Sequence, residues 1–191
     1  MTKGPLDLVR QLATILDDLA IPYALGGSMA SSLIGEPRST VDVDIAIKLS
    51  SGSEHALLER VTPEFYVSVD AAQIAIQSNS SFNLIDTAHG LKVDLFVLGD
   101  SLLDRMQIQR RVNIAVPHSP NGIWVTAPED QILRKLNWYR KGDGVSDRQW
   151  RDVIGILRMN DTSLDQDYLQ HTAAAVNLSD LLTAALDAAA T

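Results

Sequence analysis

Val41-Asp42-Val43-Asp44-Ile45-Ala46-Ile47 decides how this chain reads. Side chains alternate along a strand, so the branched Val41, Val43, Ile45 and Ile47 share one face and Asp42 and Asp44 share the other. Two residues of rise separate the aspartates by about 6.6 Å at the backbone. Their carboxylates can therefore converge on one hard cation, which prefers oxygen ligands. With nothing bound, like charges at that spacing repel. The pair alone carries little weight. Aspartate fills 19 of 191 positions, so about two Asp-x-Asp pairs are expected by chance. The chain has two, and the other, Asp165/Asp167, reads as the acidic first turn of a helix. Context separates them.

Upstream, Tyr23-Ala24-Leu25 reads as a short strand that runs through Gly26-Gly27-Ser28 into a helix reaching about Ile34. Unpaired N–H groups at such a helix start attract anions, and glycine allows a phosphate to approach the backbone. The plainer reading is a tight turn with Ser28 as N-cap. Downstream, Lys92-Val93-Asp94-Leu95-Phe96-Val97 alternates again and sets Asp94 opposite the Val93/Leu95/Val97 face. Aspartate is a poor strand former, so something other than packing keeps it there; a solvent-facing edge position is the alternative.

Outward from these motifs the spacing predicts an α/β (α+β) fold, a mixed sheet flanked by helices with a helical C-terminal part. Expected helices cover 5–20, 53–60, 70–77 and 101–107, and expected strands cover 41–48, 65–69, 82–86, 91–98, 110–116 and 123–126. Gly90 marks a hairpin turn. Helices follow at 129–141, 147–159, 166–175 and 178–190, so residues 1–127 read as the core and 128–191 as an extension packed on it.

Composition narrows the function classes. The chain has no cysteine, which excludes disulfides, thiolate metal sites and cysteine nucleophiles. No stretch has the run of about 18 apolar residues that a membrane helix needs. Nothing at the start resembles a signal peptide, so a cytoplasmic protein is expected. The net charge of −8 argues against a general nucleic-acid binder. Seven basic residues face three acidic ones between Arg134 and Arg158, and no basic residue follows. That local patch suits a phosphate-bearing ligand; an ordinary solvated helix pair is the bland reading.

Gly26-Gly27-Ser28, then Gly35, Arg38, Thr40, Asp42 and Asp44, then Val93-Asp94-Leu95, together resemble the DNA polymerase beta-type nucleotidyltransferase superfamily. Pro128-Glu129-Asp130, Lys135-Leu136 and Arg148 through Asp152 are similar to its AbiEii/MenA-like branch, whose members are toxins or small stand-alone transferases. The resemblance implies an NTP-dependent enzyme that moves a nucleotide to an acceptor hydroxyl on a tRNA, a protein or a small molecule, releasing pyrophosphate. It implies that Asp42, Asp44 and Asp94 hold Mg2+ or Mn2+, and that Gly26, Gly27, Ser28, Arg38 and Lys135 bind the nucleotide. A cognate toxin or antitoxin is an implied partner. The alternative is an inactive relative of the same fold, serving as an antitoxin-like or regulatory binding protein. A haloacid-dehalogenase-like phosphatase fits worse, since Ile45-Ala46 stands where threonine normally follows the acids.

Several residues admit two readings. Lys135 is either the cation for the triphosphate or a surface lysine. Asp152 is an auxiliary site candidate, or the partner of Arg148 four residues before it. Tyr139 and Trp138 could stack on a base, although aromatics at helical spacing are usually core. The histidines at 55, 89, 118 and 171 are scattered without ligand spacing.

Overall fold

A computed structural model describes residues 3–34, 40–142 and 144–190. Helix α1 (Pro5–Asp18) opens with Pro5 in its first turn and the Gly4 N–H capped by Asp7 Oδ2 at 2.8 Å. Its buried face, Leu8, Val9, Leu12, Ile15 and Leu16, follows the helical period. Strand β1 (Tyr23–Leu25) leads directly into α2 (Gly27–Ile34), and β2 (Val43–Ile47) follows. Next come α3 (Ser53–Val61), α4 (Val69–Gln77) and the hairpin of β3 (Ser81–Asp86) and β4 (Leu91–Val97). Gly90 turns that hairpin with φ of +66°, and its N–H bonds back to the Asp86 carbonyl at 2.8 Å. Helix α5 (Leu102–Gln109), β5 (Val112–Val116) and β6 (Ser119–Val125) complete the sheet region. Helices α6 (Pro128–Lys141), α7 (Asp147–Met159), α8 (Gln166–Ala175) and α9 (Ser179–Ala189) follow.

Among the described residues, six strands form one mixed sheet in the order β3-β4-β2-β1-β6-β5. Strands β2 and β4 run parallel at its centre, and β3, β1 and β5 add antiparallel pairings. The expected α/β architecture with a helical end is the one observed. One face of the sheet carries Val43, Ile45, Ile47, Val93, Leu95 and Val97 against α1, α3 and α4, and these side chains form one apolar cluster. Each such fully buried Leu, Ile or Val contributes about 1.5–3 kcal/mol relative to exposure. A second cluster joins α6, α7, α8 and α9, with Leu103 of α5. Among the described residues no helix is long and apolar enough to cross a membrane.

Two expected strands differ most from those observed. Residues 65–69 form no strand; Tyr66 makes a single antiparallel bridge to Ile85. Ser68 ends the extended run because its hydroxyl caps α4 and accepts from the Ala71 N–H. Strand β6 begins at Ser119 instead of 123, because His118, at φ +60°, closes a tight turn after β5.

Candidate active site

The acids occupy the sheet face opposite the first apolar cluster. On β2, Val43, Ile45 and Ile47 are buried while Asp44 points to the other side, as alternation requires. Asp94 does the same on β4, and the parallel register pairs Asp44 with Asp94 directly. Asp42 lies one residue before β2 and has a half-exposed side chain, 51% accessible. The expected strand 41–48 is thus shorter at its start, and Asp42 stands at the strand mouth.

The loop before α2 fits around Asp44. The Gly26 N–H donates to the Asp44 carbonyl at 2.8 Å, extending the β1–β2 pairing to the helix start. Gly27 has φ of +58°, and a Cβ there would overlap the Asp44 carboxylate. Only glycine lets that carboxylate lie against the backbone. Gln131 of α6 secures this turn, donating to the Gly27 carbonyl at 2.7 Å and to Ser31 Oγ at 3.1 Å. Beneath it, Thr126 Oγ1 donates to the Leu25 carbonyl at 3.0 Å and accepts from Gln107 at 2.9 Å. Gln107 also accepts from Arg134, which pairs with Asp104 at 2.7 Å. Gln107, Thr126 and Gln131 form a buried polar floor that no sequence motif marked.

Above the acids lies a cleft of about 1100 Å³, bounded by the sheet, the start of α2 and the faces of α6 and α7. Gly26, Gly27, Ser28, Asp42, Asp44, Asp94 and Lys135 all line it. Arg38 lies outside the described residues. The surface-lysine reading of Lys135 is overturned: the residue is 5% exposed, and its ammonium donates to Asp152 at 2.7 Å and to Gln149 at 3.0 Å. The Arg148–Asp152 pairing suggested by helical spacing is replaced by this cross-helix bond. Arg148 reaches the other way, donating to Ser28 Oγ at 2.8 Å and approaching Asp42 Oδ2 at 3.6 Å. Tyr139 packs on Trp150, ring centroids 5.3 Å apart. Trp138 is not core: it is 52% exposed, lines the cleft and meets the Phe96 ring edge-on at 5.8 Å.

The electrostatics of the acids are unsettled. Burial pushes the Asp44 carboxyl above the usual carboxylate range, and the neighbouring Asp94 and Asp42 charges push it the same way, against Lys135 and Lys92. Asp94 pairs one oxygen with Lys92 at 3.0 Å. Its other oxygen, Oδ1, is buried with no hydrogen-bond donor among the described residues. Among the described residues, no three acid or histidine side chains stand close enough as a group to hold a metal ion. The donor chemistry nevertheless fits a hard divalent cation: Asp42, Asp44 and Asp94 all border the cleft, and the buried Oδ1 of Asp94 lacks a partner among the described residues.

No protein-family model matches the chain, and no curated protein matches it by sequence. Solved structures do match its fold. An antigenic nucleotidyltransferase-like protein from Paracoccidioides brasiliensis superposes with a TM-score of 0.55 at 22% identity, over 94% of this chain and 90% of that one. The solution structure of the antibiotic-resistance factor ANT(2'')-Ia superposes with a TM-score of 0.60 at 16% identity, covering 98% and 97% of the two chains. The crystal structure of ANT(2'')-Ia in complex with adenylyl-2''-tobramycin gives 0.54 at 16% identity, over 88% and 94%. The chain thus has the mixed-sheet fold of nucleotidyltransferase-like proteins.

Proposed function

We propose that the protein is a metal-dependent nucleotidyltransferase, moving a nucleotide from an NTP to an acceptor hydroxyl with release of pyrophosphate. The observation that carries this reading is the in-register pair of Asp44 and Asp94 beside the Gly27 turn, with Asp42 at the strand mouth. The fold likeness to nucleotidyltransferase-like proteins supports it. The adenylyl-tobramycin complex of ANT(2'')-Ia makes a small-molecule hydroxyl one acceptor to test.

In this reading Asp42, Asp44 and Asp94 hold Mg2+ or Mn2+. The bound ion would neutralise triphosphate charge and favour loss of the acceptor proton. The chain's own residues do the positioning. Gly26, Gly27 and Ser28 offer the start of α2 to the phosphates. Lys135 adds positive charge facing Asp44 while Asp152 fixes its ammonium. Asp94, which lines the cleft, accepts the proton of the acceptor hydroxyl on its carboxylate. The hydroxyl oxygen bonds to the α-phosphorus; the bond from that phosphorus to the bridging oxygen breaks, and its electron pair leaves with pyrophosphate.

The test is incubation with each NTP labelled at the α-phosphate, Mg2+ and, in separate arms, total RNA, proteins or aminoglycosides. The doubly substituted Asp42→Ala/Asp44→Ala protein is the control. Label should pass to one acceptor class and vanish in the control. Absence of any NTP binding with Mg2+ present overturns the proposal, and phosphate release from monoesters favours a phosphatase.

A further inference from the structure

Arg148 belongs neither to the second apolar cluster nor to a helix-surface pair. Its side chain is half exposed, and the acid one turn later, Asp152, is bonded to Lys135. Instead Arg148 leaves α7 and crosses the cleft mouth to two residues of other elements, Ser28 Oγ at 2.8 Å and Asp42 Oδ2 at 3.6 Å. These two residues have different duties in the proposed function on which this inference rests. Ser28 faces the phosphates, and Asp42 faces the metal. One guanidinium therefore spans the phosphate position and a metal ligand at once.

A planar guanidinium carries five donors in a fork that matches phosphate oxygens, and it stays charged at any working pH. Its attraction to a half-exposed carboxylate 3.6 Å away is weak, because both groups are well solvated. A triphosphate offers it more charge and better geometry. The geometry points to Arg148 as a placeholder cation. In the nucleotide-free protein it offsets the Asp42 charge; when an NTP arrives it transfers to the phosphates and leaves Asp42 free to act as a ligand. Metal and nucleotide binding are then coupled through one side chain, and the coupling is reciprocal.

Arg148→Met separates the two roles, since removing the charge should help one ligand and hurt the other. The probes are Mn2+ alone, followed by electron paramagnetic resonance, and Mg2+ with an α,β-methylene NTP, followed by calorimetry. Without nucleotide, the variant should bind Mn2+ about fivefold more tightly than the wild type, and it should bind the NTP analogue about tenfold more weakly, within the usual range of site coupling. Arg148→Lys should bind Mn2+ nearly as the wild type does, yet lose part of the analogue affinity, because the charge stays and the fork goes. Adding Asp42→Asn to Arg148→Met should erase the gain in Mn2+ binding. The half-exposed position makes folding insensitive to these changes, which a thermal melt of each variant verifies. Affinities that do not move, or that move in the same direction, overturn the placeholder role while leaving the transferase reading intact. A wild type that binds neither probe overturns both.

Discussion

Asp44 and Asp86 are both strand aspartates of one sheet, and their surroundings differ in kind. Asp86, at the end of β3, is buried and saturated. Lys3 donates to it at 2.7 Å, the His89 ring lies at 3.0 Å, and the backbone N–H groups of Ala88 and His89 donate at 3.1 and 3.2 Å. Burial alone would raise its carboxyl, but the Lys3 and His89 hydrogen bonds outweigh burial and hold it down at about 2. Asp44 sits among like charges, and its carboxyl is raised by burial, then by Asp94 and Asp42. The contrast teaches how to sort buried acids. An acid whose charge is matched inside the chain holds the fold together, whereas one opposed by its neighbours is held for something not in the chain.

Asp44→Asn tests that division most severely. It should lower nucleotidyl transfer by about 10³-fold or more, the scale on which removing one preorganised electrostatic group acts. Asp86→Asn should leave the rate per folded molecule unchanged. Single-turnover kinetics at saturating NTP measures both, and equal losses would remove the distinction. Gly27→Ala attacks the same carboxylate from the backbone side. Alanine at φ +58° is strained, and its Cβ would displace Asp44. The expected cost is roughly 2–3 kcal/mol of stability by urea unfolding, with transfer reduced as well. A neutral outcome would mean that Asp44 does not need to lie against that turn.

The sheet was legible because strand periodicity is local. The alternation around Asp44 and Asp94 predicts which face each acid takes, and the parallel register then joins them. Helix α8 follows its predicted span because Asp165 caps it through its own side chain. What escaped the sequence depends on contacts between elements. Helical spacing offers Arg148 to Asp152, but the packing of α6 on α7 gives Asp152 to Lys135. Trp138 looks like core on a helical wheel, yet α6 turns it toward the cleft, where Phe96 of β4 supports one edge. Gln107 and Gln131 carry no charge and follow no motif, so only their buried hydrogen bonds reveal them as positioning residues. The short extended run at 65–69 was lost to a cap, since Ser68 favours the helix start over further pairing.

Asp86→Asn should cost about 2 kcal/mol at neutral pH, the scale of buried hydrogen bonds to a charged group. The sign follows from the depressed carboxyl. The folded chain keeps Asp86 ionised where the unfolded chain, near 3.8, already binds a proton. Its contribution is therefore complete above about pH 4 and is lost as pH falls toward about 2. Urea unfolding of both proteins across that window should show the curves converging at the acid end. Parallel curves would mean that the Lys3 and His89 contacts do not form in solution.

The smallest effect is the most discriminating, because it reverses sign. Asp44 has a raised carboxyl, so the folded chain takes up a proton there more readily than the unfolded chain does. Where both states are ionised, the folded state bears the burial and the repulsion from Asp94 and Asp42. Asp44→Asn removes that burden, so the variant expected to lose most transfer should melt a few degrees above the wild type at neutral pH. As pH falls into the raised carboxylate range the wild-type side chain protonates itself, and the advantage should shrink toward zero. Calorimetric melts in the absence of divalent cations read this directly. Adding Mn2+ should narrow the gap from the other side, since an ion that binds only the folded wild type stabilises it by mass action. An Asp44→Asn variant that melts below the wild type at neutral pH would mean that Asp44, like Asp86, is matched within the fold, and the case for an external cation at this site would fall.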